Sequence, residues 1–259
     1  MSANPALVQQ LSSYQAMGMT PAAAAAAVLA PTSVEVSFVQ ESGDSALAQS
    51  SPTPVSIHPN DLSQALTTAY VASLTAADLA SIIHTSYPDL SALGVAEAVL
   101  AGLPSTSQTD MYNALTGCGF SATDAQGAVN ILYPATVTIQ STQPWQATGV
   151  NVTGQQITTL TFVSGSWTAN PATGMCGPNG NASYVAKSSY TLPGAKEGAM
   201  IGRIGNNSPF LVGTSCKAPA GQSGMLSLCI NDDLSDKYGS GLADNKGALT
   251  FTITTSNPS

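Results

Sequence analysis

Charge is scarce in this sequence. Of 259 residues, 6 are Lys or Arg and 14 are Asp or Glu, 8% in all, for a net charge of −8. So few cations cannot neutralise a run of phosphates, which excludes nucleic-acid binding through the backbone. The same scarcity argues against an anionic membrane surface as the main partner. Apolar residues make up 43%, so the chain is not disordered, a state that needs low hydrophobicity as well. The length exceeds the ~150 residues of an ordinary domain, which fits two domains or one large one. A core of that size needs no disulfide or metal to fold.

Histidine is nearly absent too. His58 precedes Pro59, and His84 ends an apolar run. Both read as structural, either solvent-facing or satisfied. No His follows, which excludes Ser-His-Asp and Cys-His catalysis in the rest of the chain. GxSxG, P-loop and HExxH patterns are missing, and Gly198, Gly202 and Gly205 do not form GxGxxG. The expectation is a binding protein and not an enzyme. Cys118, Cys176, Cys216 and Cys229 lack CxxC spacing, which disfavours zinc. Cys118 reads as a small buried hydrophobe, and a disulfide among the other three stays open.

Long apolar runs are lacking as well. The longest, Ala22–Ala30, falls short of the ~20 residues that span a bilayer. The Met1-Ser-Ala-Asn-Pro5 start has no basic region. The chain therefore reads as soluble, without a Sec-type signal, and either cytoplasmic or released by a non-classical route. Three matches to the glycosylation pattern, at Asn151, Asn181 and Asn206, are then chance.

What charge there is lies unevenly. Up to Gln140 there are nine acidic residues and no basic one; after it, five acidic and all six basic residues follow (Lys187, Lys196, Arg203, Lys217, Lys237, Lys246). The halves carry −9 and +1, which suggests two modules, residues 1–140 and 141–259.

The first half is rich in Ala, Leu, Ser and Thr. Three segments in it are alike: Gly18–Val28, Leu74–Ile83 and Gly119–Val129. Each sets Met19, Leu74 or Phe120 before Thr20, Thr75 or Ser121, hydroxyls suited to a helix N-cap. Asp78 and Asp124 stand three residues beyond Thr75 and Ser121, a weaker relative of the capping box. Pro21 falls at the first helical position. Shorter helical patterns precede each segment, over Leu7–Met17, Leu62–Ala72 and Gln108–Thr116, and Tyr87-Pro88 and Tyr133-Pro134 stop two helices. The expectation is a helical domain of short helix-turn-helix units, interrupted by a strand over Ser33–Gln40 and a Ser/Pro-rich loop over Ser42–Pro59.

After Pro144 the pattern turns to short β-like runs separated by Gly, Asn and Pro. They are Thr158–Val163, Met200–Ile204, Phe210–Val212, Gly224–Ile230 and Ala248–Thr254. Leu226, Leu228 and Ile230 alternate with smaller residues, as do Leu249, Phe251 and Ile253. Such alternation marks an antiparallel sandwich with one buried face per sheet. Between the last two runs, Asn231–Gly247 holds four of this half's five acidic residues. Its carboxylates and carboxamides are the hard oxygen donors Ca²⁺ takes, although EF-hand spacing is absent. Facing carboxylates repel without a cation. A solvated hairpin loop remains the other reading.

One ordered set of motifs carries a resemblance. It runs Ser166-Trp-Thr-Ala-Asn170, Cys176-Gly-Pro-Asn-Gly180, Gly198-Ala-Met-Ile-Gly-Arg-Ile-Gly205, Gly224–Asp232 and Asp244-Asn-Lys-Gly-Ala-Leu-Thr-Phe251. In these motifs the stretch from Pro144 to Ile253 resembles the galactophilic, calcium-dependent lectins typified by the small soluble lectin of Pseudomonas. The resemblance implies a jelly-roll β-sandwich with one Ca²⁺ at its tip. The ligands would be the Asn170 carbonyl, Asp232, a backbone carbonyl near Asp236, Asp244 and Asn245. The vicinal hydroxyls of a galactoside or similar sugar would complete the ion's coordination, with Asp232 and Asp244 accepting from them. Three departures stand out. Asp244 replaces the first Asn of the family's Asn-Asn pair, and the loop from Asp232 to Asp244 is longer. Tyr184 and Lys187 stand where a histidine and a glutamine hold the sugar's primary hydroxyl. Tyr184, Tyr190 or Tyr238 could stack on a sugar's apolar face, whereas Trp167 reads as core.

The expected function is that of a lectin which oligomerises for avidity, its helical half serving assembly or attachment. Two alternatives stay open. One is a glycan-targeted toxin or effector whose first half acts on a membrane or partner, although helices without Lys or Arg bind membranes poorly. The other is a structural sandwich that has lost sugar binding.

Overall fold

The computed structural model describes residues 3–30, 56–71, 73–237 and 240–258. These form two compact units, which divide between Ser121 and Ala122. The strand expected over Ser33–Gln40 and most of the loop after it, residues 42–55, lie outside the described residues.

The first unit is helical: α1 Pro5–Ala16, α2 Pro21–Leu29, α3 Pro59–Ala69, α4 Ala76–Ser86, α5 Ala92–Gly102 and α6 Gln108–Gly117. Short polar caps set the starts. The Thr20 hydroxyl accepts from the Ala23 N–H at 3.3 Å, with Pro21 opening α2. Thr75 and Asp78 exchange hydrogen bonds in a reciprocal capping box, which satisfies two donors that the first turn leaves free. The Thr75→Ala variant is expected to lose about 1 kcal/mol of stability, read as a lower urea midpoint. His58 caps α3, its Nδ1 accepting from the Asn60 N–H at 3.2 Å. His84 lies against Phe120, with centroids 4.5 Å apart and the rings tilted by 46°. His58 thus holds a structural place, whereas His84 Nδ1 is buried without a partner.

Helix α3 packs on α1 and α5, and α4 on α2, α5 and α6. The buried faces bring together Leu11, Leu62, Leu66, Leu79, Ile83, Val95, Val99, Met111 and Leu115. The Tyr70 hydroxyl donates to the Met19 carbonyl at 3.0 Å and ties α3 to the start of α2. The closest approach is at Gly102, where a Cβ would stand 2.6 Å from Ser63 Oγ and 2.9 Å from the Ser63 carbonyl. Gly102→Ala must push α5 off α3, at an expected cost of about 1–3 kcal/mol, seen as a lower thermal midpoint.

The second unit opens with α7, Ala122–Leu132, which stops ahead of Tyr133-Pro134 as that pair dictates. Eight strands follow: β1 Ala135–Gln140, β2 Gln146–Val152, β3 Ile157–Thr168, β4 Met200–Ile204, β5 Phe210–Leu211, β6 Ser215–Lys217, β7 Gly224–Ile230 and β8 Lys246–Ser256. They make two four-stranded antiparallel sheets, in the orders β1-β8-β3-β6 and β2-β7-β4-β5. That interleaving is the jelly-roll arrangement. The fold is therefore α+β, with helices first and a sandwich after.

The compositional change near residue 140 and the junction of the compact units do not coincide. Helix α7 and β1 share the Lys-free composition of the first half, yet they pack with the strands. The Gln156 amide donates to the Gly127 carbonyl at 3.1 Å, and Asn130 Nδ2 to the Asn151 carbonyl at 2.6 Å. β1 pairs along its length with β8.

Leu160, Ile201, Ile204, Leu226, Leu228, Ile230, Leu249, Phe251 and Ile253 fill the space between the sheets. Trp167 is fully buried there, its indole N–H donating to the Gly198 carbonyl at 2.7 Å. All four cysteines are free thiols. Burial pushes Cys216 up to about 11 and Cys229 up to about 12. Among the described residues no helix is long and apolar enough to cross a membrane.

Candidate functional site

Strand β7 ends in three buried polar residues, Asn231, Asp232 and Asp233. Each is held by its own hydrogen bonds. The Asn231 carboxamide accepts from the Leu192 N–H at 2.8 Å and donates to the Leu192 and Lys196 carbonyls at 3.0 and 3.1 Å. It thereby pins the irregular segment ahead of β4 against the end of β7. Asp232 accepts from the Asp233 N–H at 2.7 Å and from Asn245 Nδ2 at 2.8 Å. Asp233 accepts from the Ser235 N–H and hydroxyl at 3.1 and 2.6 Å.

Asn245, 4% exposed, also donates to the Ser141 carbonyl at 3.0 Å. Its Oδ1 is buried and has no partner. An orphaned buried acceptor costs about 1–3 kcal/mol, so this one marks a place where a donor or cation would be welcome.

A cleft of about 140 Å³ opens over these residues. Asn170, Asp232 and Asp244 line it, and so do Glu197, Asp233 and Tyr190. Asp236, Asn245, Tyr184 and Lys187 are not in its lining. Asn245 stands behind it, bonded to Asp232. Asp236 is exposed, with a left-handed backbone at φ +57°. Its carboxylate lies against Gly241, a lining residue at which a Cβ would collide with it. Tyr184 is half-exposed and Lys187 exposed. Tyr184 reaches the site only through its backbone carbonyl, which accepts from the Glu197 N–H at 3.1 Å. Tyr238 lies outside the described residues.

The Asn170 carbonyl accepts from the Thr168 hydroxyl at 2.7 Å, the Thr173 hydroxyl at 2.9 Å and the Thr173 N–H at 3.0 Å. A carbonyl has two lone pairs, so a cation there must displace a donor.

Burial raises the Asp232 carboxyl to about 6. The bonds from Asn245 and Asp233 pull the other way, and the charges of Glu197 and Asp244 add to the rise. A raised folded-state value favours folding fully below the unfolded value, near 3.8, and that contribution is lost as pH climbs through about 6. In metal-free protein at neutral pH, Asp232 thus works against folding by up to about 3 kcal/mol. In chelator, the urea midpoint of the second unit is expected to drop between pH 5 and pH 7, and Asp232→Asn to flatten that drop.

Among the described residues, no three His, Cys, Asp or Glu side chains form a group that could hold a metal alone. A cation in this cleft would need carboxamide and backbone oxygens too, and Ca²⁺ with its six to eight flexible oxygen ligands accepts those. The carboxylates, hydroxyls and carboxamide of the lining and the orphaned Asn245 Oδ1 fit that donor set.

Glu197, Asp233 and Tyr190 belong to the cleft without having been marked as its ligands. Glu197 is the one acidic residue of residues 141–259 that lies outside the Asn231–Gly247 loop, and it directly precedes the Gly198 motif. Tyr190 enters the site through its hydroxyl. Its hydroxyl donates to Glu197 Oε1 at 2.6 Å.

No family model matches the chain, and no curated protein matches it. Among solved structures, a chain described as "EclA N-terminal domain; PllA-like lectin" is similar at 18% identity and a TM-score of 0.37. The likeness covers 47% of this chain and 96% of that one. The strand order, and not this likeness, defines the jelly roll.

Proposed function

We propose that this chain is a carbohydrate-binding protein that holds its sugar through calcium and performs no chemistry on it. The carrying observation is one cleft lined by Asp232, Asp244, Glu197 and Asn170, backed by the buried, unpartnered Asn245 Oδ1. Asp232, Asp244 and Asn245 would hold Ca²⁺ through side chains, and the Asn170 carbonyl and a carbonyl near Asp236 through the backbone. The ion supplies open positions at which neutral vicinal hydroxyls replace water. Asp232 and Asp244 would accept from those hydroxyls and fix which diol geometry fits. A cleft of about 140 Å³ suits one monosaccharide edge. Tyr184 and Lys187 would touch only a ligand that extends beyond it.

The motif resemblance directs the choice of sugar to galactosides. A single site of this size binds weakly, so the working form would be a homo-oligomer that gains by avidity, with the helical unit as its assembly or attachment module. Calorimetry with methyl galactoside in calcium and then in EGTA tests the reading. Heat that appears in calcium and vanishes in EGTA is expected. A calcium-independent signal, or none with any hexose on a glycan array, would remove it.

A further inference from the structure

Glu197 comes to the cleft from a segment of its own and is built in firmly. It is 9% exposed. Its N–H donates to the Tyr184 carbonyl at 3.1 Å and its carbonyl accepts from the Asn181 N–H at 2.8 Å, so the backbone is fixed on both sides. The carboxylate is clamped by the Tyr190 hydroxyl at 2.6 Å. That hydroxyl has one hydrogen to give, and burial together with this bond raises its own pKa, so the phenol remains a donor.

The lining has a second property. Glu197, Asp232, Asp233 and Asp244 all face the cleft, and no Lys or Arg is among the described residues that line it. Asn245 Oδ1, buried and unpartnered behind Asp232, is one more acceptor without a donor. A divalent cation balances only two of the three carboxylates of Glu197, Asp232 and Asp244. The remainder of the wall accepts hydrogen bonds and repels anions.

We infer that Glu197, oriented by Tyr190, sets the charge selectivity of this site, which takes amino-bearing sugars in preference to neutral ones and rejects sugars that carry a carboxylate. The inference rests on the calcium-held saccharide reading. Glu197 is the specificity-determining residue and Tyr190 its positioning residue.

The test titrates the full chain, in calcium at low salt, with methyl galactoside, galactosamine, 6-amino-6-deoxygalactose and galacturonic acid. The better amino sugar is expected to bind more tightly than methyl galactoside and at least about tenfold tighter than galacturonic acid, and a neutral sugar that binds tightest of the four overturns the inference. The amino-to-acid ratio shrinks at high salt. It falls to about twofold in Glu197→Gln, and part of the way in Tyr190→Phe. The ratio compares ligands on one protein, so partial misfolding of a variant does not move it. An unchanged ratio in both variants overturns the inference. So does equal binding of all four sugars, which leaves calcium-held sugar binding intact. A chain that binds none of the four overturns both.

Discussion

Asp232→Ala is expected to abolish calcium-dependent saccharide binding, with the apparent calcium affinity falling by at least about 100-fold. Asp232 is the hub of the cleft. Its two oxygens accept from the Asp233 N–H and from Asn245 Nδ2. It is 3% exposed, and both Glu197 and Asp244 act on its charge. Truncation removes one carboxylate that would hold the ion and leaves Asn245 Nδ2 with the Ser141 carbonyl alone, while its Oδ1 already lacks a partner. Asp232→Asn keeps the shape and loses the charge, so an intermediate loss is expected. Calorimetric calcium titration with methyl galactoside present measures both. An unfolding midpoint in chelator no lower than the parent's would show that the loss is local. An Asp232→Ala affinity within tenfold of the parent would take Asp232 out of the site.

Trp167→Ala is expected to cost the second unit about 3–5 kcal/mol. The side chain is fully buried between the sheets. Its removal also strips the Gly198 carbonyl of its indole donor, held at 2.7 Å. Trp167 meets Cys176 through backbone bonds in both directions, at 3.0 and 2.7 Å. The collapse therefore reaches the turn beside the cleft. Because Gly198 follows Glu197, sugar binding should weaken along with stability. Trp167→Phe keeps most of the volume and loses the donor, at about 1–3 kcal/mol. Urea unfolding separates the two variants. A Trp167→Ala midpoint close to the parent's would mean that the sheets close over the gap.

How much the sequence disclosed depended on whether a segment is shaped locally. β4 and β7 match their expected bounds; in β7 the alternation of Leu226, Leu228 and Ile230 ends at a Gly on one side and an Asn-Asp pair on the other. β3 and β8 extend further than their apolar runs, since the backbone pairing of the two strands continues from Ile157–Ser256 to Thr168–Lys246. β1 went unmarked inside the Lys-free half, and β2 carries Gly149 and a register shift that blur its period. Helix α5 begins at Leu90-Ser91 with the same apolar-then-hydroxyl signal as its neighbours, and Ser91 does cap Gly94 at 3.2 Å. Its Ala- and Gly-rich body lacks the strong periodicity that would have singled it out.

The site divides in the same way. Asn170, Asp232 and Asp244 sit at strand ends, where motif spacing fixes them. Glu197 and Tyr190 lie in a stretch without regular structure. It is placed by a distant carboxamide, that of Asn231, and no local pattern announces such a contact.

The junction at Ser121 and Ala122 also redistributes the charge. Before it stand eight acidic residues and no basic one; after it, six of each. The second unit is formally neutral, and the whole net charge of −8 belongs to the first. Copies that meet through their helical units must bring like-charged surfaces together, a repulsion that dissolved ions weaken over about 10 Å at 0.1 M. Self-association by that route should therefore strengthen as ionic strength rises, whereas contacts between sandwiches should respond far less, which makes a salt series in the ultracentrifuge a direct reporter of which unit carries the assembly.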